Sequence, residues 1–311
     1  MKKYFFILLL CVSLYGYSNS TIKSSNGKIP VLCFHIIGDG ERYEISPDNF
    51  EKLLIYLNKN NFFVISDKEF INKDFSQVPN GFKPIVLGSD DASEGNFIYK
   101  TDDNDILNGR ISNLDNPEID EKSMVGILKR NLAPRDGKIN FTFYVSFNGI
   151  PFRQSGGESF GSNYRNNPIV ANKFNYIIDN FILGIHTVNH PVTKDTSVSD
   201  FKNELVLFYE IMETYVGEKY KMIDTLAYPY GCADLKPEMQ QMIEDFNYKG
   251  QTIIGGFDFD GYFSKSPLTN NINKYDISRL GVDNYNIDKV YGFLENVKLF
   301  VVERVENGSD S

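Results

Sequence analysis

The chain contains no tryptophan, and only three histidines and three cysteines among its 311 residues. A Trp-lined sugar cleft is therefore excluded, although 25 Phe and 19 Tyr leave ample material for stacking on sugar rings. Three cysteines are too few for a disulfide framework. Cys11 falls in an apolar leader, and Cys33 and Cys232 can form one pair at most, with two buried free thiols as the plainer reading. Basic residues are also scarce, 32 against 41 acidic ones. An acidic chain is a poor binder of nucleic acid or anionic lipid. After the first fourteen residues no apolar run is long enough to cross a bilayer.

The leader reads MKKYFFILLLCVSLYGYSNS. Lys2 and Lys3 give a positive start, Tyr4 to Leu14 an apolar stretch, and Ser18-Asn19-Ser20 a small-x-small end. Residues 1–20 are thus predicted to be a secretory signal peptide, too short for a stable span. The protein is expected to be exported to the periplasm, the cell envelope or the exterior. Leu10 is bulky where a lipoprotein signal needs a small residue, which argues against acylation of Cys11. Cleavage removes two lysines and no acid, leaving 30 basic and 41 acidic residues and a net charge of −11.

The rest alternates between short apolar runs and helical periodicity. IPVLCFHII reads as a strand carrying His35. Ser46 then caps a helix with Pro47 at its first position and Phe50, Leu53, Leu54 and Leu57 along one face. Phe62 to Ser66 is a strand, and KPIVLGSDD is a nearly continuous apolar run of the kind buried on both faces of a parallel sheet. Further helices are expected over 117–132, 170–180, 198–216 and 237–247. INFTFYVSF, FILGIH, TLAYPYG and QTIIGG read as strands or strand ends between them, with a final strand or helix pair from Tyr275 onward. Polar stretches at about 92–116 and 148–167 read as long surface loops. With no repeat and no linker, residues 21–311 form one α/β domain with a parallel sheet, open or closed into a barrel.

With so little histidine, its placement is informative. His186 and His190 stand four apart in GIHTVNHP, and Pro191 keeps the pair out of a helix interior, placing it at a strand end and its loop. Asp90 and Asp91 end the strand KPIVLGSDD, where paired like charges are costly unless ligated or hydrogen-bonded. Two imidazoles and a carboxylate can hold a divalent ion with an open position for water. An adjacent second carboxylate can take that water's proton. Consecutive residues point in different directions, so one Asp can ligate while the other faces the water. These groups all sit where strands end, the face that barrel enzymes use.

In this order the motifs resemble the polysaccharide deacetylases, the NodB-homology domain of carbohydrate esterase family 4. The similarity runs from about Val31 to about Val282. IPVLCFHII looks like the opening Tyr-His strand, KPIVLGSDDAS like the Thr-Phe-Asp-Asp-Gly motif, and INFTFYVSF like the strand ending Thr-Phe-Phe-Val. GIHTVNHP is similar to the His-Thr/Ser-x-x-His motif, TLAYPYG to the Tyr-Pro-Tyr-Gly form of the third motif, and YDISRLGVDN to a late Arg-containing segment. The resemblance implies a distorted (β/α) barrel and removal of acetyl groups from an N-acetylglucosamine-containing glycan of the envelope or matrix. It implies a divalent metal on Asp91, His186 and His190, commonly zinc, with cobalt or nickel as substitutes. Asp90 would be the general base, and the Tyr230 backbone N–H would steady the oxyanion. The family usually draws its general acid from a histidine near the C-terminus. None follows His190 here, so His35 takes the role, as in circularly permuted members.

The chain also departs from the pattern. Gly88-Ser89 replaces Thr-Phe, Ala92 replaces a Gly whose absence matters if φ is positive there, and Leu226 stands where many members carry an Arg that orients the base. Two other activities fit the same machinery: a catalytically silent glycan-binding protein, and an O-acetyl esterase acting on acetylated sugars.

Overall fold

The computed structural model describes residues 20–22, 27–100, 117–153, 168–232, 235–269 and 272–306. The predicted signal peptide up to Asn19, including Cys11, lies outside the described residues, as do 101–116 and 154–167 of the two expected loops. Eight strands form the central sheet: β1 (Val31–Phe34), β2 (Phe62–Ile65), β3 (Lys83–Ser89), β4 (Thr142–Val145), β5 (Ile182–Ile185), β6 (Thr225–Ala227), β7 (Gly255–Phe257) and β8 (Leu280–Gly281). Their order is β7-β6-β5-β4-β3-β1-β8, with β2 on the first half of β3, and every pairing is parallel. A single parallel bridge, Phe257 to Ile277, ties β7 to the segment that enters β8. The sheet thereby rolls into a distorted barrel.

Helices follow most strands, and their limits come from local chemistry. In α1 (Pro47–Lys59) the Ser46 side chain accepts from the Asn49 amide, and Phe50, Leu53, Leu54 and Leu57 are buried, as their spacing predicts. Helix α2 (Asp67–Ile71) opens on a capping box between Ser66 and Glu69. Then come α3 (Met124–Asn131), α4 (Pro168–Asn180), α5 (Val198–Val216), α6 (Pro237–Glu244) and α7 (Ile287–Asn296). Helix α5 has the span the sequence predicts because Ser197 caps one end and Gly217, at φ +56°, ends the other.

Strand residues alternate between two buried clusters. Leu32, Phe34, Leu87, Phe143 and Leu226 join the helix residues Phe50, Ile177 and Phe208 in the outer layer. Val31, Val86, Tyr144, Ala227 and Phe257 form the second cluster, inside the barrel. Tyr144 is the largest of these, and two glycines accommodate it. A Cβ on Gly184 would lie 2.3 Å from its ring, and one on Gly88 would lie 2.9 Å from the Thr142 carbonyl and 3.4 Å from the ring. The departure at Gly88 thus has a steric cause.

Four expectations need correction. The stretch after Asp91 is not a surface loop at its start: Phe97 and Tyr99 are fully buried, and Tyr99 bridges to Ile119. Phe152, near the start of the second loop, is buried too. Both are held by Lys173 of α4, whose buried Nζ donates to the carbonyls of Phe97 (2.6 Å) and Phe152 (2.7 Å). The expected helix over 117–132 starts only at Met124, because Ser123 caps there and the residues before it pair with the Tyr99 segment. QTIIGG is strand only at its last two residues; Gln251 belongs to a turn closed by mutual hydrogen bonds with Tyr248.

Candidate metal centre

Parallel register places the ends of β1, β3, β5, β6 and β7 side by side, so the residues just beyond them converge on one rim. His35 follows β1, Asp90 and Asp91 follow β3, His186 follows β5 and Tyr228 follows β6. The backbone here is unusual. Asp91 (φ +70°), Ala92 (+52°), Thr187 (+61°), His190 (+51°) and Tyr230 (+59°) all occupy the left-handed region. For a β-branched residue such as Thr187 this is a genuine outlier, and such strain concentrates at functional sites. Position 92 therefore does need positive φ, and alanine carries the cost that glycine would avoid.

The turns at Asp91 and Thr187 separate the roles of neighbouring residues. Asp91 swings outward, leaving its side chain 37% exposed, with Oδ1 3.2 Å from His190 Nε2 and 3.5 Å from His186 Nε2. The two Nε2 atoms are 3.1 Å apart. A tetrahedral ion with ligands at about 2.0–2.1 Å separates them by about 3.3 Å, so these spacings suit a bound cation. His186 Nδ1 lies 2.8 Å from the Ala227 carbonyl, which fixes the proton on that nitrogen and leaves Nε2 free to ligate. Without an ion, burial pushes His186 down, but Asp90 and Asp91 outweigh it and raise its pKa. Burial likewise raises the Asp91 carboxyl, and the two imidazoles more than reverse this, leaving it lowered.

Asp90 turns inward. Arg279 NH1 and NH2 each donate to one of its oxygens at 2.8 Å, and both side chains are buried. Burial pushes the Asp90 carboxyl up, yet Arg279 and His186 overcome it and hold it at about 2. It is ionised at any ordinary pH. Arg279 is itself fixed by the Asp258 carbonyl, 2.8 Å from Nε, and lies over the Tyr144 ring. Asp90 Oδ2 sits 3.8 Å from His186 Nε2, beside the ligand cluster but outside it.

His35 has a ring nitrogen within 4.8 Å of an Asp90 oxygen and of Cys33 Sγ. Burial lowers its pKa against the pull of both aspartates, so it rests neutral at pH 7. Tyr230 packs edge-on against His190, centroids 4.7 Å apart, and is 68% exposed. Its backbone N–H makes no hydrogen bond among the described residues. All six residues read from the sequence thus lie on one rim, with Asp91, His186 and His190 in mutual contact.

Two further potential ligand groups are less suitable. In Cys33–His35–Asp90 the carboxylate is committed to Arg279, and burial pushes the thiol up. In Cys232–Asp258–Asp276 the Asp258 carboxylate accepts from the amides of Cys232 and Phe259, and burial again keeps the thiol protonated. Both cysteines are buried and free, the plainer of the two readings.

Sequence reasoning missed two supports. Arg279 stands in the quoted YDISRLGVDN segment, but nothing local marks it as the partner of Asp90; it supplies the guanidinium that Leu226 cannot. Glu204 of α5 accepts from the amides of Val188 (2.9 Å) and Asn189 (2.8 Å), holding the loop between the histidines. Thr193 Oγ1 then donates to the Pro229 carbonyl, tying that loop to the Tyr230 turn.

Solved structures share this architecture. A Streptococcus pyogenes deacetylase, PplD, superposes with a TM-score of 0.58 over 87% of this chain and 100% of its own, at 15% identity. A polysaccharide deacetylase from Bacillus cereus gives 0.55 over 87% and 70%, at 14% identity. IcaB from Ammonifex degensii gives 0.52 over 86% and 97%, at 16% identity. No protein-family model and no curated protein sequence matches the chain. The fold is the distorted (β/α) barrel of the polysaccharide deacetylases, as the motif resemblance implied.

Proposed function

We propose that the protein is an exported, metal-dependent deacetylase of N-acetylglucosamine-containing polysaccharide in the cell envelope or matrix. The observation that carries this reading is the convergence of Asp91, His186 and His190, with ionised Asp90 alongside, on the rim of a deacetylase-type barrel. The Streptococcus pyogenes deacetylase was solved in complex with acetate, which would be the reaction's product here. No helix among the described residues is long and apolar enough to cross a membrane, and export rests on the leader's composition.

Asp91, His186 and His190 would hold a divalent ion, with zinc the first choice and cobalt or nickel alternatives, and that ion would act as a Lewis acid and lower the pKa of water towards ~7. Asp90 accepts the proton of the attacking water. His35, neutral at rest and with a ring nitrogen within 4.8 Å of an Asp90 oxygen, is placed to receive that proton in turn. His35 then protonates the departing amine. The Tyr230 amide, unpaired among the described residues and turned by its positive φ, donates to the oxygen of the tetrahedral intermediate.

Acetate release from N-acetylglucosamine oligomers, with metal content measured alongside, tests the reading. Asp91→Asn should lose metal and activity together. Asp90→Asn should keep the metal and lose ~10²–10⁴-fold in turnover. Equal metal loss in both variants would overturn the separation of ligand from base. A metal-loaded wild type that binds oligomers without releasing acetate would make it a glycan-binding protein, and release from O-acetylated sugars alone would make it an esterase.

His35 has its own signature. An amine leaving group needs a proton far more than a phenol does, so His35→Ala should slow acetamide hydrolysis much more than hydrolysis of an aryl acetate. Equal losses on both substrates in a well-folded variant would remove His35 from the mechanism.

A further inference from the structure

His35 also lines a cavity of about 370 Å³ to which neither His186 nor His190 contributes. That is within the range of small-ligand sites and large enough for a substituted sugar residue. Its inner wall is His35, flanked edge-on by Tyr43 and Phe259 at centroid distances of 5.3 and 5.4 Å. At its mouth stand Arg42 and Lys289. Both cations lie against the ring of Tyr285, the guanidinium carbon 4.8 Å and the ammonium 5.5 Å from its centre. Among the described residues neither forms an ion pair. One carboxylate, Asp283, shares the lining; its oxygens accept from the amides of Tyr43 (3.1 Å) and Asn286 (2.9 Å), and it forms no ion pair with either cation.

What sets Arg42 and Lys289 apart is that both line one cavity and share one aromatic ring. Two cations side by side repel each other; Tyr285 offsets part of this by presenting its ring face to both, and the Asp283 carboxylate leaves the lining with one net positive charge. The arrangement holds two positive charges where an anion entering the cavity would meet them. Because His35 forms both the inner wall and the near neighbour of Asp90, a glycan reacting at the rim would place an adjoining sugar here.

We propose that this cavity is a subsite for an anionic substituent, carboxylate or phosphate, on the sugar next to the one that loses its acetyl group. The substrate class is then an acidic N-acetylated glycan, and neutral homopolymers are the poorer ligands. This deepens the deacetylase reading and rests on it for the position of the reacting sugar.

The test uses three oligomers of equal length: neutral N-acetylglucosamine, one with carboxylate-bearing sugars at alternate positions, and one with phosphorylated sugars. Each is titrated into wild type, Arg42→Gln/Lys289→Gln and the charge-conserving Arg42→Lys/Lys289→Arg, and acetate is measured in the same samples. Wild type should favour a charged oligomer by about tenfold, the scale of two exposed ion pairs. The preference should appear in KM rather than kcat and shrink as salt rises. The glutamine pair should bring the ratio near one, and the swapped pair should keep most of it. Carboxylate and phosphate arms identify which anion is preferred. Equal affinity for neutral and charged oligomers in wild type, or a preference that survives in the glutamine pair, would overturn the subsite. If no oligomer releases acetate, the dissociation constants from the titrations still decide it, and only the deacetylase reading fails.

Discussion

Wild-type protein purified without chelators should carry one equivalent of a divalent transition metal, and either His186→Ala or His190→Ala should lose it. Three ligand atoms already lie 3.1–3.5 Å apart before any ion is considered. The Ala227 carbonyl has settled the tautomer of His186, so little reorganisation is left to oppose binding. Removing even a supporting group around such a site commonly weakens metal binding ~10–100-fold, and loss of a ligand should exceed that. The two variants should differ in stability. His186 is buried against the barrel wall, and alanine there leaves a cavity; His190 sits on the outer loop, partly exposed. Metal content by emission spectroscopy, with melting temperatures with and without added zinc, separates these effects. A wild type that takes up no zinc, cobalt or nickel would end the metal reading.

The ligand set was legible because buried charge needs a reason. Asp90 and Asp91 end an apolar strand, and two of only three histidines lie at another strand end. A parallel sheet brings such ends together whatever the loop lengths. The helices were legible where both ends carry chemistry, as Ser197 and Gly217 do for α5. The start was misjudged at 117–132, because the capping residue, Ser123, lies inside the expected span and the residues before it pair with the Tyr99 segment. Arg279 could not be read because its partner lies 189 positions away, and a long-range ion pair leaves no local pattern. The buried beginnings of the two polar loops were hidden for a related reason. Two aromatics, Phe97 and Tyr99, anchor the first loop and one, Phe152, the second, and their shared partner is a lysine on α4, a residue type that composition assigns to the surface.

Arg279→Met should destabilise the protein by about 3–5 kcal/mol, because it leaves a carboxylate buried with its charge uncompensated. The pH dependence identifies the cause. In wild type the folded pKa of Asp90, about 2, lies below its ordinary value of 3.8. The ion pair's contribution is therefore complete above 3.8 and is lost as pH falls through about 2. Without Arg279, burial dominates and raises the folded pKa above 3.8, and the sign reverses. Asp90 is then tolerated in its protonated form at low pH and becomes increasingly costly as pH rises through the raised value. The gap between variant and wild type should widen from about pH 4 towards neutrality. Adding Asp90→Asn should recover much of the loss at pH 7, since the charge that needs a partner is gone. Arg279→Lys should recover little, because an ammonium cannot reach both carboxylate oxygens while holding the Asp258 carbonyl. Denaturant unfolding of all four proteins from pH 4 to 8 measures this. A loss of equal size at every pH, or a double variant no more stable than Arg279→Met, would mean that Arg279 acts through packing against Tyr144 and that the charge on Asp90 is held by something else.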